Sequence, residues 1–194
     1  DAGHGFFEGK KATPADIASG LPVHRPELER EIADSVNTYT VTVIKASSGQ
    51  GKTTLALQTA FTLQDTYTPY QLTVCNDIHE LGNIAQWFKL RIELGEKPLI
   101  ILDNLDTHLS EWNELVQLMQ TELLGHYKLL ITSREIDWYN YGGDLSNIQS
   151  LHVIRPTLSE TEALAIYNLI KESGRLHLSV TDWRNAWHKI AEKQ

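Results

Sequence analysis

From residue 39 onward, short apolar runs alternate with longer stretches in which apolar residues recur at helical spacing. That alternation is the signature of strand–helix units wound about a largely parallel sheet. Strands are predicted near 40–46, 71–76, 98–103, 127–132 and 151–155, with helices near 52–64, 79–93 and 109–121. After Pro156 the pattern changes. Ser159 and Glu162 stand at capping-box spacing, and Ala163, Ile166, Tyr167 and Ile170 share one face of the helix that follows. A second helix is expected from Val180, Trp183, Trp187 and Ile190, and no further strand signal appears. The fold class is therefore α/β, three layers around a five-stranded parallel sheet. Its expected parts are a lead-in over 1–22, a core domain over 23–155 and the start of a helical subdomain over 156–194.

Composition narrows the function. The formal net charge is -8, and no run of Lys or Arg exceeds Lys10-Lys11. Both features argue against a duplex-DNA footprint or a polybasic membrane patch, and nucleic acid is an unfavoured partner. Cys75, the only cysteine, permits no internal disulfide and reads as a buried core residue of a cytoplasmic protein. Uninterrupted apolar runs such as Leu99–Leu102 are far below the roughly 20 residues of a membrane span. The chain opens without methionine and closes on a helical pattern, so a segment of a longer protein is expected.

The richest stretch is "ASSGQGKTTL", where an apolar strand gives way to a helix. It fits the phosphate loop G-x-x-x-x-G-K followed by Thr at every defined position except the first, where Ala46 stands for glycine. That substitution is tolerable if residue 46 keeps a negative φ. Gly49 and Gly51 let successive N–H groups turn inward at the start of a helix whose dipole favours anions. Ser48, Gly49, Gln50 and Gly51 form the cradle. Lys52 would reach the outer phosphates, Thr53 would offer its hydroxyl to Mg²⁺, and Thr54 would touch the α-phosphate.

A second strand, "PLIILDNLD", ends in Asp103, the position from which a Walker B aspartate holds Mg²⁺. Asp106 is placed to orient or deprotonate an attacking water; capping the helix that begins near Ser110 is less natural at that distance, and a plain surface aspartate is the other alternative. A third strand ends in Thr132, Ser133 and Arg134, where a polar side chain and a guanidinium can sense a γ-phosphate. One complete strand, "QLTVC", lies between the loop strand and the Asp103 strand, as in the ASCE branch of P-loop proteins. No N-K-x-D guanine-reading motif occurs, so ATP or ADP with Mg²⁺ is the expected ligand.

These residues resemble the STAND NTPases, the signalling ATPases that include NACHT, NB-ARC and bacterial antiviral members. The resemblance spans about 21–172 and rests on "PVHRPELEREI", "ASSGQGKTTL", "LIILDNLD", "LLITSRE" and "IRPTLSETEALAIY". Departures are His24 at the lead glycine, Ala46 in the loop, and Asn104 after Asp103. The resemblance implies adenine contacts near Arg25 and a slowly hydrolysing switch. It implies closure with ADP, and with ATP self-association that activates a fused effector under the control of sensor domains. Rival readings are an AAA+ ATPase of the origin-binding or remodelling type and a nucleotide-stabilised scaffold without turnover.

Other patterns fall away. "HELGN" begins like a zinc motif but carries Asn83 where the second ligand belongs. Ser47 and Ser48 lack the spacing of a nucleophile elbow. Trp87, Trp138, Trp183 and Trp187 read as core anchors rather than base-stacking platforms.

Overall fold

The computed structural model describes residue 6, residues 10–174, and residues 183 and 187. Five parallel strands, β1 (Val41–Lys45), β2 (Thr68–Gln71), β3 (Pro98–Asp103), β4 (Lys128–Ser133) and β5 (Leu151–Ile154), form one sheet in the order β2-β3-β4-β1-β5. The helices are α1 (Pro14–Ala18), α2 (Pro26–Thr38), α3 (Lys52–Thr62), α4 (Leu81–Glu93), α5 (Trp112–Leu123), α6 (Glu135–Tyr141) and α7 (Glu160–Glu172).

Strands of a sheet covered on both faces are apolar without interruption, and here successive residues feed two cores. Val43, Ile100, Leu102, Leu129 and Ile131 pack with Phe88 of α4 and with Trp112, Leu115 and Met119 of α5. Ile44, Leu99, Ile101, Leu130 and Ile154 pack on the other side with Ile32 and Val36 of α2 and with Leu55, Ala56 and Ala60 of α3. The short α1 and α6, of five and seven residues, escape the periodicity analysis because each offers too few turns for a repeat to emerge, whereas the thirteen-residue α2, which opens on Pro26, lies in a stretch to which that analysis assigns no element.

Two expectations need correction. The second strand is Thr68–Gln71, and only Gln71 of "QLTVC" belongs to it. β3 ends at Asp103, where Asn104 turns into the left-handed region at φ 68°, so a longer β2 would run past its partner. The chain leaves the sheet after Leu72, whose N–H donates to the Ile101 carbonyl at 3.0 Å. Cys75 then donates to the His108 carbonyl and accepts from the Glu111 N–H. It is also β4, not the strand that follows β1 in sequence, that lies between β1 and β3; β2 takes the edge, where Pro69 is tolerated.

Trp112 and not Trp87 is the buried aromatic anchor. Trp87 is 45% exposed, with Tyr70 and Phe88 edge-on to it and the Arg91 guanidinium over its ring. Burial pushes the Cys75 thiol up to about 12, aided by Glu111 and Glu114, which keeps it protonated and inert. α7 opens with the expected capping box: Ser159 Oγ accepts from the Glu162 N–H, and Glu162 Oε2 accepts from the Ser159 N–H at 2.8 Å. Of the helix expected around Val180–Ile190, Trp183 and Trp187 are helical and the other residues lie outside those described. Among the described residues no helix is long and apolar enough to cross a membrane.

Candidate nucleotide-binding site

The parallel arrangement brings the ends of β1, β3 and β4 to one edge of the sheet, with Lys45 beside Ser133 and Asp103 beside Thr132. The loop after β1 turns through Gly49 at φ 83° and Gly51 at φ 77°, and α3 starts at Lys52. No side chain crowds Gly49, so glycine is needed there for backbone conformation and not for space. Among the described residues only Asn104 and Leu124 combine a side chain with positive φ, so Ala46 meets its condition. The same observation explains Asn104, because asparagine tolerates the left-handed region that the family's small residue would occupy.

Lys52 is folded back onto its own loop and donates to the Ser47 carbonyl at 2.8 Å. Burial, followed by the charge of Arg134, pushes its ammonium below the ordinary lysine value, against the pull of Asp103 and Asp137. A bound phosphate would relieve that cost. Thr53 Oγ donates to Asp103 Oδ1 at 2.8 Å, which joins the two phosphate-handling motifs across 50 residues of sequence. Thr132 Oγ donates to the same oxygen at 2.6 Å and accepts from the Asn104 N–H at 2.7 Å. The other oxygen, Oδ2, receives no well-directed hydrogen bond but lies 2.5 Å from the Lys11 ammonium.

The remaining candidates are placed less directly. Asp106 accepts from the His108 N–H at 2.8 Å and caps the 3₁₀ turn Thr107–Leu109, while the helix near Ser110 is α5, whose N-cap is Glu111. Arg134 donates from Nε to Asp137 Oδ2 at 2.5 Å, three residues along its own helix. Ser48 is exposed at the loop tip, whereas Gln50 is buried with its Oε1 lacking a hydrogen-bond partner.

Beside the loop lies a cavity of about 310 Å³ whose walls include Gly51, Thr54, Leu55, Gln58, Leu158 and Ile166. Thus α7 closes one side and α3 the other. Arg25 borders the cavity, yet its guanidinium is held by protein acceptors: Glu162 Oε1 at 2.8 Å, the Thr157 carbonyl at 2.6 Å and the Gln50 carbonyl at 3.1 Å. Buried Arg25 thereby ties the phosphate loop to α7, a role that is invisible in sequence. Gln58 is buried in the cavity wall, donates to the Val23 carbonyl at 3.3 Å and leaves Oε1 without a partner. Lys11 and Gln58 are site residues that sequence reasoning missed. No motif marks either one, and Lys11 reaches Asp103 from the lead-in.

Residues 4–146 match the family Novel STAND NTPase 5. No curated protein matches the sequence. RIF2 of Saccharomyces cerevisiae is similar in fold, with a TM-score of 0.52 at 8% identity over 91% of this chain and 72% of that one. A DNA replication initiation factor has a TM-score of 0.49 at 17% identity, covering 78% of this chain and 51% of its own. AMPPCP-bound DnaA from Aquifex aeolicus has 0.45 at 16% identity, covering 75% and 49%. The chain spans about half the length of these last two proteins.

Proposed function

Because the chain belongs to the Novel STAND NTPase 5 family, we propose that it is an ATP-binding, slowly hydrolysing regulatory module. In the full-length protein it would work as a nucleotide-dependent switch. The observation that carries this reading is the Thr53–Asp103 hydrogen bond at 2.8 Å, which sets a hydroxyl and a carboxylate side by side at the mouth of the phosphate loop. Both are hard oxygen donors, suited to Mg²⁺, and Thr53 and Asp103 would hold it. When bound, Mg²⁺ would neutralise phosphate charge.

Each step then belongs to a residue of the chain. Lys52 exchanges the Ser47 carbonyl for phosphate oxygens. The inward N–H groups of the loop bind the rest, and Thr132 keeps Asp103 oriented. The cavity between α3 and α7 receives the base. There the Gln58 amide, whose N–H is directed to the Val23 carbonyl, presents an acceptor. An acceptor suits the exocyclic amine of adenine and opposes the carbonyl of guanine. Arg25 lets α7 follow the loop's state, a direct route from nucleotide to lid. Self-association with ATP, sensor domains, a fused effector and a role in antiviral defence complete this proposal.

Hydrolysis is slow in this reading because Arg134 faces Asp137, and Asp106 would have to leave His108 to orient a water. An arginine aimed at the transferred phosphoryl group contributes about 10³- to 10⁵-fold elsewhere. Phosphate release measured on purified chain tests the point. Turnover far below about 1 per second, rising with protein concentration, is expected, and Asp106→Asn should slow it while ADP affinity holds. Fast turnover by a monomer would refute the switch.

A further inference from the structure

We infer that Lys11 is a built-in competitor of the divalent cation, so that loading Mg²⁺ with nucleotide frees the segment ahead of α1. The inference rests on the nucleotide reading above and deepens it. The Asp103 side chain is 2% exposed, and a carboxylate that deeply placed needs a compensating charge. Its Oδ1 is engaged by the Thr53 and Thr132 hydroxyls, at 2.8 and 2.6 Å. Only Oδ2 is left, and the Lys11 ammonium sits 2.5 Å from it. One oxygen thus serves two cations, and they exclude each other.

The lysine is built to leave. Its side chain is 55% exposed, so its ammonium returns to water at little cost. The anchor behind it stays. Thr13 and Asp16 form a reciprocal capping box, with the Thr13 N–H and hydroxyl donating to Asp16 Oδ2 at 2.8 and 2.7 Å. Ile17 is buried where α1 packs on α3. Residues 10–12 are therefore a short tether between a fixed helix and the metal-side carboxylate. By linkage, whatever holds that tether in place opposes Mg²⁺-nucleotide, and the reverse holds equally. The site would report its state to whatever precedes residue 10.

The test titrates ADP by calorimetry in Mg²⁺ and in EDTA, for the wild-type chain, Lys11→Met, and Lys89→Met as a charge control on α4. Lys11→Met should tighten ADP binding about two- to tenfold in Mg²⁺ and leave the EDTA value unchanged. Lys89→Met should move neither value. A Lys11→Met ratio of Mg²⁺ to EDTA affinity equal to wild type overturns the inference, as does weaker Mg²⁺-dependent binding. Wild-type protein that binds no ADP at all would instead overturn the proposed function. Should Lys11→Met fold poorly, hydrogen exchange on the wild type decides: peptides covering residues 10–13 should exchange faster with Mg²⁺ and ADP than with ADP in EDTA. No difference there sinks the idea.

Discussion

The two edges of the sheet carry cavities of similar size and opposite character. At the N-terminal edge lies one of about 350 Å³, bordered by Glu96, Lys97, His126, Tyr127 and Lys128. At the C-terminal edge lies the smaller cavity of about 310 Å³ beside the phosphate loop. In the first, the charged groups pair with ordinary surface and backbone partners: Arg91 pairs with Glu96 at 2.6 Å, and Lys128 donates to the carbonyls of Asn37 and Tyr39 at 3.0 and 2.9 Å. In the second, the polar groups join the phosphate loop to the strand-end carboxylate and to α7. Thr53 meets Asp103, and Arg25 meets Glu162 across 137 residues, while the Gln50 and Gln58 amides keep bare oxygens where, among the described residues, the first cavity has only the Tyr127 hydroxyl. Volume alone would choose the wrong edge. In a parallel sheet the N-termini of the following helices face the C-terminal edge, and that orientation collects anion-binding groups there.

The sharpest way to break this contrast is Arg25→Ala. It leaves Glu162 Oε1 and two carbonyls without their donor, and with Glu162 partly exposed the expected loss is about 2–3 kcal/mol of stability in urea unfolding. Lys128→Met at the other edge should cost less, and equal losses would erase the distinction. Next comes Lys52→Ala, which removes a charge-assisted phosphate contact of about 1.5–3 kcal/mol. Calorimetry should show ADP and ATP affinity at least about tenfold lower, and unchanged affinity would overturn the phosphate-loop assignment.

A smaller effect follows pH. Burial of Glu162 raises its carboxyl, but hydrogen bonds from Arg25 and Ser159 outweigh that and hold it below the ordinary 4.5. A depressed folded value means that the stabilisation is present above 4.5 and lost as pH falls through the lower folded value. The stability gap between wild type and Glu162→Gln should therefore close on acidification below that point. A gap that widens contradicts the clamp. The smallest effect belongs to Tyr127→Phe. The Tyr127 hydroxyl is buried without a hydrogen-bond partner, and burial pushes it up. Its removal should change stability by no more than about 1 kcal/mol, in the stabilising direction, and leave ADP affinity alone.

How far the sequence reached depended on whether a feature was local. Strand–helix alternation, the loop and the Ser159 capping box are contiguous patterns, and each appears in the structure. The edge strand was misplaced because the apolar character of "QLTVC" marks one buried residue, Cys75, in a loop that bonds to His108 and Glu111. Asp106 shows the limit of position: a carboxylate after a Walker strand looks the same in sequence whether it caps a turn or faces a water. Arg25, Gln58 and Lys11 take their meaning from partners that only the fold brings near. The family resemblance implies adenine contacts near Arg25, which borders the cavity, while its guanidinium binds protein acceptors.

Pro69 has a consequence for assembly. In β2 the N–H groups of Thr68 and Leu72 point to β3, donating to Lys97 and Ile101, so residue 69 faces the outer side. Proline has no N–H to offer there, which leaves this four-residue edge with Gln71 as its one outward strand donor. A further strand laid alongside would find one donor where an edge of this length normally offers two. This edge is thus a poor template for sheet extension, whereas β5 at the opposite end of the order, Leu151–Ile154, carries no proline.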